Sequence, residues 1–305
     1  MTAAAGLVIY AAALTWLCPP LLRRLTDHGS VPRLSVLAWL ATLAMALTAW
    51  VLAVAAAAMA VVGAFLDATV LTLCLDLLGL VYETSFPAPG IPAVLTALAV
   101  GITGVTTVRV VNAYRRLHHI SGEHARSARI VGTPTDRSDV VIVQSDRPAA
   151  YCVAGRPHAI VVTTAAVHAL TARQFAAVLA HESAHLQECH HQILMGLRAL
   201  ALTVPRLPLF TSAAAAAQQL LEMCADDTAA RHHGVRPLVE GLAALAGCPA
   251  QPTALGAADT AVTTRVNRLI SGNGHHHRRR HQILLSVSIG AAVLAPAIIA
   301  MLCQH

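Results

Sequence analysis

LTARQFAAVLAHESAHLQECHH, residues 170–191, is the stretch on which the reading of this chain turns. Thr171 is placed to cap a helix, and neither Gly nor Pro occurs from Thr171 to Met195, so the spacing predicts a continuous helix. His181 and His185 are four apart and therefore project from one face, about one turn from each other. Two imidazoles so arranged can share one Zn²⁺, with Glu182 close enough to act on water at that ion. In a chain with 17 His the bare pattern also arises by chance, so a second observation is needed.

AAAAAQQLLEMCADDTAARHHG, residues 213–234, supplies it. This run also reads as a helix, and Glu222 and Asp226 lie on one face of it. Glu222 completes a His₂Glu ligand set that leaves a fourth position open. Asp226 is placed to accept an N–H from a ligand imidazole, His181 above all, and so to fix its tautomer. The alternative is a solvated acidic face. The segment before Glu222 is almost wholly apolar, however, and isolated carboxylates there need a partner.

HESAH followed by ExxAD, with the lead-in YCVAGRPHAIVVTTAAVHALTARQFAAVLAHESAH (151–185), resembles the gluzincin metallopeptidases that have an integral-membrane body. The pattern is similar to the BlaR/MecR-type membrane peptidases (peptidase family M56), with the HtpX/CAAX-protease type (M48) as neighbour. By motif the resemblance covers roughly residues 139–270. It implies one catalytic Zn²⁺ held by His181, His185 and Glu222, with Glu182 as catalytic acid/base and Asp226 orienting a ligand. Arg265 and Arg268 stand where the family carries an Arg-containing helix, so Arg265 either supports the site or stabilises an oxyanion; a surface or lipid-facing arginine is the rival reading. The resemblance also makes Ala159–Thr163 the candidate strand for pairing with an extended substrate, against an ordinary core strand.

Composition points to a membrane. Of 305 residues, 56% are hydrophobic and 12% charged, against about a quarter charged in soluble domains. The net charge of +6 is carried by arginine alone and clusters at the ends of apolar runs, which reads as topology. With 4% aromatics and no basic stripe, direct nucleic-acid binding is not expected. The seven cysteines show no CxxC spacing; Cys189 and Cys224 flank the metal helices and read as packing residues rather than ligands.

The expected fold is an α-helical membrane protein of about four transmembrane helices with an inserted α+β, zincin-like peptidase domain. Residues 1–114 form the first membrane part, with spans near 2–18, 34–66 and 92–114. Residues 115–282 form the peptidase domain, opening with a basic linker (RRLHHISGEHARSAR), and 283–302 form the last span. Residues 67–85 read as an amphipathic surface segment in preference to a further span. The broken apolar stretch 193–210 reads as surface-lying or re-entrant. The HHHRRRH run at 275–281 reads as an interfacial anchor against anionic lipid, a metal-binding tract being the alternative. Arginine placement puts 115–282 in the cytoplasm and both termini outside a cell membrane.

The function expected is zinc-dependent hydrolysis of peptide bonds in a cytoplasmic or membrane-proximal protein. By resemblance to the BlaR/MecR type, that substrate is a transcriptional repressor. With nothing after His305, no penicillin-binding sensor domain is expected. A quality-control or prenyl-protein protease is the enzyme alternative. A non-catalytic receptor or scaffold retaining a zinc site is the alternative of another class, and an intact Glu182 argues against it.

Overall fold

The computed structural model describes residues 3–27, 29–66, 90–246, 255–271 and 275–302. The chain begins with α1 (Ala3–Trp16) and α2 (Cys18–Thr26), which meet at a 42° bend. The expected first span, near 2–18, is α1 with its end bent into α2. Pro19 and Pro20 open α2, because Pro is tolerated in a helix's first turn, where its missing N–H costs nothing. α3 (Pro32–Leu66) follows, apolar throughout. The segment 67–85 lies outside the described residues.

α4 (Gly90–Val131) corrects the sequence reading. It does not stop at residue 114; the supposed basic linker is its second half. Ser121, Gly122 and three histidines make this stretch a middling helix former, and tertiary packing carries it on as helix. Ala125 is buried, Ser121 Oγ donates to Ala154 O at 2.7 Å, and Arg129 donates to the carbonyls of Ser138 and His158. The approach is close: a Cβ at Gly155 would lie 2.5 Å from that of Ala125. The first half of α4 presents Ile91, Val94, Leu95, Leu98, Ile102 and Val105 outward, as a lipid-facing surface would.

Among the described residues, Pro32–Ala64 and Gly90–Val131 are long and apolar enough to cross a membrane, and the bent α1–α2 pair makes a third if it counts as one span. Four were expected.

A small sheet follows: β1 (Thr133–Pro134), β2 (Val140–Val143), β3 (Ala150–Val153) and β4 (Ala159–Thr163), in the order β1-β2-β4-β3. β4 runs parallel to β2 and antiparallel to β3, and all five of its residues are buried. It is therefore central and has no free edge, which overturns its assignment as the substrate-pairing strand. That edge belongs to β3.

The remaining helices are α5 (Thr164–Ala169), α6 (Ala172–Gln187), α7 (His190–Thr203), α8 (Pro208–His233), α9 (Val235–Ala246), α10 (Leu255–Ser271) and α11 (His275–Leu302). The stretch 193–210 is not surface-lying. Leu197, Leu209 and Phe210 share one core with Leu14, Trp39, Leu43 and Leu285, so α8, the helix that carries Glu222, packs directly on the apolar helices. The expected fourth span falls on α11, where Arg279 and Arg280 are exposed.

Candidate metal centre

α6 starts with a full capping box. The Thr171 hydroxyl accepts from the Gln174 amide, and the Gln174 side chain accepts from Thr171 N–H at 2.9 Å. Its inner face is lined by the small residues Ala177 and Ala184, and α8 answers with Ala225 and Ala229. Small residues on both sides let the two helices approach closely enough for their polar side chains to meet.

The side chains that meet are His181, His185 and Glu222. His181 Nε2 and His185 Nε2 are 3.2 Å apart; Glu222 sets Oε2 3.5 Å from the first and Oε1 3.5 Å from the second. A tetrahedral Zn²⁺ with bonds near 2.0–2.1 Å wants its donors about 3.3 Å apart, so this set fits the ion.

His181 Nδ1 lies 3.1 Å from Asp226 Oδ1, a bent contact short of full hydrogen-bond alignment. Asp226 is fully buried, and Arg265 holds it in a fork: Nε to Oδ2 at 2.8 Å and Nη2 to Oδ1 at 2.7 Å. The third nitrogen, Nη1, reaches Glu222 at 3.0 Å. All three guanidinium nitrogens are thus engaged on the two carboxylates. Next to it, Arg268 bonds Asp227 at 2.6 Å and the carbonyls of Met223 and Gly29, tying α10 to α8 and to the α2–α3 turn.

Glu182 is buried, and the Cys152 amide and thiol both reach it. Burial, helped by the nearby charge of Glu222, pushes its carboxyl up to about 6, although His181 and Cys152 oppose the rise. Burial alone would push His181 down, yet the carboxylates of Asp226 and Glu222 beside it outweigh that and hold it at about 9. His185 is depressed to about 4, chiefly by burial. Burial would raise both acids; instead His181 and the charges of His185 and Arg265 hold Glu222 at about 2, and Arg265 and His181 hold Asp226 at about 2.

Two cysteines read as packing residues differ. Cys224 is buried, and burial pushes its thiol up to about 12; Cys189 is exposed. Neither joins the ligand group. Cys152, not singled out by sequence, lies at Glu182 because the register of β3 puts it there. His190 is buried, with Nδ1 3.1 Å from His185 Nδ1. The doublet His190-His191 was visible in the sequence; the backbone turn that aims His190 inward was not.

A model of Peptidase family M48 matches residues 112–255, from the second half of α4 to the start of α10. That family is a membrane zinc metallopeptidase type, and the matched stretch holds His181, Glu182, His185, Glu222 and Asp226. Arg265 lies beyond it. No curated protein and no solved structure matches the chain.

Proposed function

We propose that the protein is a membrane-embedded zinc metalloendopeptidase that cleaves extended segments of a protein substrate beside β3. The observation that carries this reading is the cluster of His181, His185 and Glu222, with the two Nε2 atoms 3.2 Å apart and one Glu222 oxygen 3.5 Å from each, and a buried carboxyl, Glu182, alongside. When bound, Zn²⁺ supplies Lewis acidity, polarising a carbonyl and acidifying water. The chain's own groups do the rest. Glu182, with its carboxyl near 6, is matched to take a proton from water close to neutral pH and to return it to the leaving amine. Asp226 keeps His181 presenting Nε2.

β3 supplies the substrate rail. Thr163 N–H donates to Ala149 O at 3.0 Å, so the alternation of an antiparallel ladder turns the amides of Ala150 and Cys152 away from β4; the Cys152 amide meets Glu182, and the Ala150 amide is left on the edge. A peptide adding there takes main-chain bonds from the open edge, which selects for unfolded or loop segments over particular side chains. The M48 match favours the quality-control or prenyl-protein type of protease over the M56 repressor-cleaving type. We take the substrate to be a cytoplasmic or membrane-proximal protein, with the arginine pattern as the support for the cytoplasmic side.

The test compares new protein N-termini in cells expressing wild type or Glu182→Gln, both assayed for bound zinc. One zinc in each protein and new termini with wild type alone are the expected results. A wild-type protein that binds no zinc, or a Glu182→Gln protein that cleaves normally, overturns the reading.

A further inference from the structure

The two histidine ligands are held from behind by different devices. His181 leans on a carboxylate, Asp226. His185 turns Nε2 to the donor triangle, so its Nδ1 must carry the proton when Nε2 binds a metal, and that N–H needs an acceptor. The group in reach is His190 Nδ1, at 3.1 Å, with the two rings at 82°.

In an uninterrupted helix a residue five positions on sits about 140° around the axis and cannot fold back over His185. Here the helix breaks. Cys189 adopts φ 57° and ψ 29°, a left-handed conformation unusual for a side chain that is not glycine, and α7 restarts at His190. The turn swings His190 into the core, where it is 4% exposed. Its other nitrogen, Nε2, lies 3.5 Å from Glu188 Oε2. Glu188 Oε1 is in turn gripped by Arg33 at 2.6 Å, from the first turn of α3, and by the Thr228 hydroxyl at 3.0 Å on α8. The line His185–His190–Glu188–Arg33 therefore runs from the donor triangle to the start of an apolar helix.

We infer that His190 is a positioning residue for the metal centre: it accepts the Nδ1–H of His185 and, through Glu188 and Arg33, fixes that ligand's tautomer and ring angle against α3. The inference rests on the zinc reading above. It goes beyond that reading by giving the second ligand its own support, on a residue that is not part of the metal-binding pattern.

The experiment measures zinc affinity by chelator competition on the full-length protein in detergent, for wild type, His190→Phe and His190→Asn. Phe keeps a ring but offers no acceptor. Asn keeps an acceptor oxygen near the place of Nδ1 and a donor toward Glu188. His190→Phe should lose about 10–100-fold in zinc affinity, and His190→Asn should recover most of it. Thermal unfolding of the zinc-free proteins runs alongside, to show that all three are folded. Equal affinity in all three overturns the inference, and so does an Asn variant as weak as the Phe variant, since that pattern marks a role in packing alone. A wild type that binds no zinc overturns the functional reading and this inference with it.

Discussion

Replacing Arg265 with Met tests how the site tolerates a fully buried carboxylate. The substitution keeps an apolar stem of similar reach and removes the guanidinium that holds Asp226 at 2.7 and 2.8 Å. Stripping one partner from a buried ion pair costs about 3–5 kcal/mol, because the other charge is left uncompensated. His181 remains at 3.1 Å and offsets part of this. Linkage gives a second figure. The Asp226 carboxyl falls from its ordinary 3.8 to about 2, which at 1.36 kcal/mol per unit is roughly 2 kcal/mol, shared between Arg265 and His181. A loss of about 2–3 kcal/mol at pH 7 is therefore expected for the zinc-free protein, read by urea unfolding in detergent micelles. The sign with pH follows from a depressed acid: in the wild type the stabilisation is complete above pH 3.8 and disappears as pH falls through about 2, so the wild type's advantage should be lost at low pH. The double variant Arg265→Met/Asp226→Leu, which removes both charges, should regain most of the loss. A single substitution costing under about 1 kcal/mol, or a double variant no more stable than the single, refutes this reasoning.

Ala150→Pro removes an amide that faces away from β4 and leaves the ladder between β3 and β4 intact. KM for a peptide substrate should rise by about tenfold or more while zinc stoichiometry stays at wild type, and an unchanged KM would remove β3 as the substrate rail. His181, held at about 9 without metal, must lose its proton to become a ligand. Zinc binding at pH 7 should therefore release a proton, and zinc affinity should climb as pH rises towards 9. Calorimetry in buffers of different ionisation heat reads the release directly, and a heat independent of buffer would contradict the assignment.

The donor set was legible because helical spacing is strictly periodic. His181 and His185 on one helix, and Glu222 and Asp226 on another, could be paired by face before any fold was known. β2 and β4 were legible as β-branched runs. What sequence missed depends on contacts distant along the chain. The continuation of α4 through Arg115–Val131 rests on the sheet packing against it, and the apparent linker carried no sign of that support. The centrality of β4 follows from sheet order, which a five-residue apolar run does not encode. His190 depends on one left-handed residue, Cys189, and no local preference announces that conformation at a cysteine. Arg265 sits 39 residues from Asp226, so sequence could place it near the site but could not say which way its guanidinium faced.

The unbroken course of α4 works as a measuring rod. Its 42 residues span about 63 Å, roughly twice the hydrocarbon thickness of a bilayer, and Ser121 and Arg129 in its second half bond to the sheet region. Membrane depth and sheet orientation are thus set by one helical count. One residue added between positions 110 and 120 would lift the sheet by only about 1.5 Å but swing it by about 100° around the rod, away from the face that α6 and α8 require. Seven residues, close to two whole turns, would lengthen the rod by about 10 Å and return the sheet nearly to its original bearing. Such a protein should accept changes in reach only in steps of whole turns, so the distance from bilayer to cleavage point is quantised by the helix itself.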